Sequence, residues 1–151
     1  MKILIIGSVA SGKSTYSKKL SKELNIKRYE IDEIVHDDIK HIKRTLEEQK
    51  EIIDEINKND SWIIEGVLRK NLYFLLDMCD EIILMDTSDK VRKFRIVKRY
   101  IKQKLRIEKC GYKPSISMVK DMFKWSSEFE DNKKALLDIL GKYNDKVKIK
   151  K

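Results

Sequence analysis

Four unbroken apolar residues, Ile3-Leu4-Ile5-Ile6, open the chain and stop at Gly7. A short run without polar interruption fits a strand buried on both faces, as parallel sheets require. Ser61-Trp62-Ile63-Ile64 and the stretch 80–86, with Ile82-Ile83-Leu84-Met85 at its centre, repeat the pattern. Lys27-Arg28-Tyr29-Glu30-Ile31 predicts a further strand ending at Asp32, and Val147-Lys148-Ile149 a weak last one. Between these runs the apolar residues step by three and four, which predicts helices over 13–24, 38–57, 72–78, 89–109 and 115–140. In 38–57 the stripe is Ile39, Ile42, Leu46, Ile53 and Ile56. In 89–109 it is Val91, Phe94, Val97, Ile101 and Leu105, which are expected to face the core. Val119, Met122, Phe123, Phe129, Leu136, Leu137 and Leu140 are the core candidates of the last helix. Strands alternating with helices define an α/β chain with a parallel sheet.

The stretch Gly7-Ser8-Val9-Ala10-Ser11-Gly12-Lys13-Ser14-Thr15 fits G-x-x-x-x-G-K-[ST] without a mismatch, and it lies between the first strand and the first helix. Gly7 and Gly12 remove side chains that would keep backbone N–H groups from wrapping a phosphate chain, and the helix presents its positive end. Lys13 is expected to reach the outer phosphates and Ser14 to ligate magnesium. The expected ligands are ATP and Mg2+.

Other candidates gather at the carboxyl ends of the strands, the edge where open parallel sheets bind ligands. Glu30 and Asp32 point the same way if their strand continues that far. Asp32 is a candidate for orienting or deprotonating an acceptor hydroxyl, with a helix cap or an outer magnesium residue as the alternative. Glu65-Gly66 ends the Trp62 strand, where a carboxylate can hold magnesium directly or through water. Arg69 is placed to meet a phosphate. Arg44 is either a substrate contact or one charge of a solvated face. His36 and His41 are five apart, off the spacing that pairs metal ligands on a helix.

Composition narrows these readings. A chain of 151 residues is read as a single domain, 1–151, with no room for an appended DNA-binding module. Its start lacks a signal peptide, and no apolar run approaches the ~20 residues of a membrane span, so a cytoplasmic protein is expected. Cys79 and Cys110 are read as free thiols. Of the +9 formal charge, +8 lies within 89–109, which holds ten Lys or Arg and two acids. One position beyond the apolar stripe runs a second one, Arg92, Arg95, Arg99, Lys102 and Arg106. Arginine's planar fork binds phosphate oxygens bidentately, so Arg95 and Arg99 are candidates to face phosphates rather than solvent. This local charge suits a small anionic ligand at least as well as nucleic acid. The glycine and proline of 110–114 predict a hinge or short lid around 107–116.

Taken together, residues 2–15, Tyr29-Glu30-Ile31-Asp32, Trp62-Ile63-Ile64-Glu65-Gly66, the strand 80–86 and Arg95-Ile96-Val97-Lys98-Arg99 resemble the adenylate-kinase-like small P-loop kinases. Within that group they are most similar to the DNA topology modulation proteins. The resemblance implies a three-layer α/β/α sandwich whose five-stranded parallel sheet has the order 2-3-1-4-5, with a lid over the phosphates. It places Arg69 at the acceptor's phosphate, and Arg95 and Arg99 on the helix arginines that clamp the adenine side and the transferred group. Glu65-Gly66-Val67-Leu68-Arg69 replaces the Asp-Gly-Phe-Pro-Arg of adenylate kinases, and the nucleoside-monophosphate region shrinks to one helix. The implied activity is phosphoryl transfer from ATP to a small acceptor such as a nucleoside, a nucleotide or a related hydroxyl compound, the alternative being an ATP-binding, DNA-associated regulator.

Overall fold

The computed structural model describes residues 1–37, 39, 41–108 and 113–151. Strands β1 (Lys2–Gly7), β2 (Arg28–Glu30), β5 (Trp62–Gly66), β6 (Glu81–Met85) and β7 (Val147–Lys150) form a five-stranded sheet in the order β2-β5-β1-β6-β7. Every pairing in it is parallel, and counted within the sheet the order is the expected 2-3-1-4-5. Leu4, Ile5 and Ile6 of β1 and Trp62, Ile63 and Ile64 of β5 are fully buried, as strands covered on both faces must be. Helices α1 (Lys13–Leu24), α2 (Ile31–Val35), α3 (Leu46–Asn57), α4 (Leu75–Met78), α5 (Asp89–Lys104) and α6 (Ile116–Leu140) complete the chain. The larger core holds Leu4, Ile6 and Ile64 with Leu75, Leu76 and Leu140, and the smaller one holds Ile3, Ile5, Ile63 and Ile83 beside Tyr16 and Leu20 of α1.

The β2 strand stops earlier than predicted. Its last residue is Glu30, and Asp32 lies in the first turn of α2 instead of at a strand end. The helix predicted over 38–57 is corrected more strongly. His36–Asp37 and Ile42–Lys43 form a small antiparallel pair, β3 and β4, and the helix begins only at Leu46. Thr45 sets that start with a full capping box: its hydroxyl accepts from the Glu48 N–H, and the Glu48 carboxylate accepts from the Thr45 N–H. Ile53 and Ile56 are buried as expected, but Ile39 is 92 % exposed and Leu46 is exposed as well. The helix predicted over 72–78 is a single 3₁₀ turn at Lys70–Leu72 followed by α4.

α5 is rotated against its predicted face. Val91, Phe94, Val97, Ile101 and Leu105 all face solvent, while Arg92, Ile96 and Gln103 are buried. Arg92 explains the orientation. Its Nε donates to Ser126 Oγ at 2.9 Å, and its Nη2 donates to Ser126 O at 3.0 Å and to Glu130 Oε1 at 2.8 Å. Its Nη1 donates to Thr87 O at 2.5 Å, and the guanidinium stacks 5.3 Å from the Phe129 ring. A guanidinium completely removed from water needs such partners, and α6 supplies them only on this side of the helix.

Gly66 lets two elements meet. A Cβ at this position would stand 2.6 Å from Ile31 Cβ, a contact that the branched, buried Ile31 cannot relieve by moving a flexible tip. Gly66→Ala is expected to lower unfolding stability by about 2 kcal/mol, as overpacking does. Urea unfolding followed by circular dichroism checks this, and an unchanged midpoint would show that α2 can shift freely.

Candidate functional site

The turn after β1 and the start of α1 form the centre of the site. Gly12 takes φ 97° and Ala10 φ 57°, so the loop curls in a left-handed conformation before Lys13 begins the helix. Glycine adopts that conformation at Gly12 without steric cost, as a loop that turns its N–H groups inward requires. The hydroxyls of Ser8 and Ser11 are buried and have no hydrogen-bond partner among the described residues. Orphaned polar atoms of this kind fit a phosphate-binding loop, because oxygens of a bound phosphate chain would satisfy them. Lys13 is 8 % exposed, and its Nζ donates to Ser8 O at 2.6 Å. Burial lowers its pKa from the ordinary lysine value, and the carboxylates of Glu65 and Asp32 pull it back up.

Glu65 comes from β5, whose register places it beside Ile5 of β1 and Glu30 of β2. It is 2 % exposed. Burial raises the pKa of its carboxyl, while the Ser14 hydroxyl and the Lys13 ammonium act in the opposite sense. Ser14 and Glu65, the two residues expected to hold magnesium, are therefore brought together. A divalent cation is compatible with this hydroxyl and carboxylate pair, the oxygen donor set that magnesium prefers.

Arg28, which drew no attention in the sequence, joins the acids at the sheet edge. Its Nη1 lies 2.6 Å from Glu30 Oε1 and 3.1 Å from Glu65 Oε1. Its place two residues before Glu30, on the same face of a strand, was the available signal. Arg69 follows β5 and pairs with Asp32 across the edge, Nη2 to Oδ1 at 3.0 Å, so these two predicted residues do meet. Arg44 is not brought to them. Its Nη1 donates to the carbonyls of Glu33 at 2.5 Å, Ile34 at 3.2 Å and His36 at 2.6 Å, closing the end of α2. That is the service a cation performs at a helix C-terminus.

On the other side of the loop, α5 forms the wall of a cleft of about 390 Å³, whose floor includes Gly12, Lys13 and Ser14. The volume is in the range of sites for small ligands. Arg95 and Arg99 line it, and Lys98 and Lys102 line it as well. Arg95 Nη1 donates to Ala10 O at 3.3 Å, and Arg99 Nε pairs with Glu108 at 3.2 Å. Arg92, of the same predicted stripe, is not in this cleft but in the buried network above. Thr87, also missed, ties that network to the loop: its Oγ1 donates to Ser11 O at 2.9 Å, and its carbonyl accepts from Arg92. Residues 109–112 of the lid expected at 107–116, Cys110 among them, lie outside the described residues. Cys79 is buried, and burial raises its thiol pKa to about 11, which keeps it protonated and inert at neutral pH.

Comparison with known proteins agrees with this architecture. The family model described as an AAA domain matches residues 3–113. No curated protein matches the chain in sequence. Among solved structures, the deoxyadenosine kinase of M. mycoides with bound dATP is similar, with 17 % identity and a TM-score of 0.52 over 99 % of this chain and 90 % of its own. The shikimate kinase of Aquifex aeolicus is similar at 19 % identity and a TM-score of 0.50, over 85 % of this chain and 80 % of its own. At such identities the likeness is one of fold, that of the small P-loop kinases.

Proposed function

The chain belongs to the AAA-domain family, and from that premise we propose that it is a magnesium-dependent phosphotransferase, moving the terminal phosphoryl group of ATP to the hydroxyl of a small acceptor. The observation that carries this reading is the loop with unlike groups gathered near it. Lys13, Arg95 and Arg99 line the cleft beside the loop, whose hydroxyls of Ser8 and Ser11 are orphaned among the described residues. Glu30 and Glu65 stand where β2 and β5 end, Asp32 stands in the first turn of α2, and Glu65 and Asp32 are near enough to Lys13 to pull its pKa upward. Lys13 and the loop N–H groups would hold the phosphate chain in line, while Arg95 and Arg99 offset the charge that develops during transfer. Ser14 and Glu65 would hold magnesium, which when bound neutralises part of the phosphate charge. Asp32 would orient or deprotonate the acceptor hydroxyl, with Arg69 fixing its carboxylate. The similar kinases make acceptors such as a nucleoside or a hydroxy acid the first to try.

Asp32→Asn is expected to lower turnover by about a hundredfold while leaving ATP affinity within a few-fold, because general-base assistance is typically of that size. ADP release in a coupled assay, beside calorimetric ATP binding, separates the two effects. Equal turnover in the variant would remove Asp32 from the reaction.

A second reading, a DNA-associated ATP-binding protein, is favoured by one observation: Arg95, Lys98, Arg99 and Lys102 form an unbroken cationic row along α5. A backbone-binding row loses affinity steeply with salt. Retardation of duplex DNA at low salt would support this reading, and no retardation at low salt would count against it.

A further inference from the structure

We infer that the acceptor enters the site without a phosphate of its own, as an uncharged hydroxyl compound rather than a nucleoside monophosphate. The inference rests on the phosphotransferase reading and names the substrate class for the acceptor side that reading leaves open, at the sheet edge by Glu30, Asp32 and Glu65.

Its basis is an asymmetry in how the cations are committed. On the acceptor side every arginine among the described residues is already held. Arg28 bridges Glu30 and Glu65, Arg69 is paired with Asp32, and Arg44 is bound to three carbonyls and lies 3.7 Å from Asp37. The sheet edge itself carries the carboxylates Glu30, Asp32 and Glu65 against the guanidinium groups of Arg28 and Arg69, so it offers no surplus positive charge. The donor side differs. Among the described residues, Lys13, Arg95, Lys98, Arg99 and Lys102 share one cleft with a single acid, Glu108, which pairs with Arg99, and Arg95 donates to a loop carbonyl.

A phosphate monoester near neutral pH carries close to two negative charges and needs cations of its own. To bind at this edge it would have to take Arg69 from Asp32. That would leave the Asp32 carboxylate unpaired next to a dianion, and like charges brought together repel, with water screening part of the repulsion because Asp32 is 69 % exposed. A neutral polyol or nucleoside meets no such penalty. Its hydroxyls donate hydrogen bonds to Glu30 and Asp32, whose side chains are 34 % and 69 % exposed and can receive them. The same pairing explains why Arg69, despite its place in the adenylate-kinase pattern, need not be a phosphate ligand here.

The test is a coupled ADP-release assay with MgATP over matched pairs, each nucleoside against its own 5′-monophosphate, with simple polyols added as further uncharged acceptors. Calorimetric binding of ATP runs alongside. The expected result is that within each active pair the unphosphorylated member has a kcat/KM higher by roughly tenfold or more. Preference for the monophosphate would overturn this inference and leave the phosphotransferase reading standing. ATP binding with no stimulation by any acceptor of either kind would overturn both.

Discussion

Replacing Lys13 by alanine is expected to lower ADP release by on the order of a thousandfold, with the fold retained. The ammonium is buried at the mouth of the loop, and its hydrogen bond is to Ser8 O of that same loop. Among the described residues it donates no hydrogen bond to another element, so its loss costs the folded state little, about 1 kcal/mol. Its electrostatic position is another matter. Burial makes the free ammonium easier to deprotonate, and a phosphate chain beside it would hold it charged, so the cation is best satisfied when the donor is bound. A group whose charge is stabilised by the ligand is placed to act on that ligand. Circular dichroism should show an unchanged spectrum while turnover collapses. Retained turnover would separate Lys13 from the transferred phosphate.

Arg92→Leu should be the most damaging single change to stability, about 3 kcal/mol. An exposure of 0 % puts the guanidinium entirely inside, where it serves Thr87, Asp89, Ser126 and Glu130. Removing it strands two carbonyls and takes a partner from two carboxylates, of which Asp89 keeps Lys93 and the Ser126 hydroxyl, each at 2.7 Å. The carboxylates of Asp89 and Glu130 are about a third exposed, so water recovers part of the loss and the estimate falls at the lower end for broken buried pairs. The melting temperature is expected to drop by roughly 6–12 °C for a chain of this size. Turnover should fall as well, because Arg92 orients the helix that carries Arg95 and Arg99 and is linked through Thr87 to Ser11. Arg92→Lys keeps the charge without the fork and should recover only part of either property. An unchanged melting temperature in Arg92→Leu would mean that α5 is held by other contacts.

The parts of this molecule that were legible in the sequence are those where the physics is local. The loop 7–15 needs fixed residue types at fixed spacing, and a strand buried on both faces needs an unbroken apolar run. Both could be read directly, and Glu65 follows from the second. The α2 to α3 region misled because Ile39, Ile42 and Leu46 fall at helical intervals by sequence alone, although Thr45 and Glu48 had the capping-box spacing that marks the true start. The face of α5 was illegible for a different reason. Its burial is decided by Ser126 and Glu130, 34 and 38 residues further on, and no window centred on α5 contains them. Apolar spacing gives a helix its stripe but does not say which way the stripe will turn when a polar network competes for the inner face.

That outward stripe governs how the molecule behaves in solution. Phe94 is 67 % exposed, Leu105 64 % and Ile101 50 %, and Lys90, Lys98 and Lys104 stand among them. In dilute buffer the lysines repel any approaching copy before the apolar side chains can touch. Salt removes that protection, because the screening length shrinks from about 10 Å at 0.1 M to about 3 Å at 1 M while apolar adhesion is undiminished. The protein's colloidal stability is thus expected to be ionic in origin, and light scattering should show association rising as salt is concentrated.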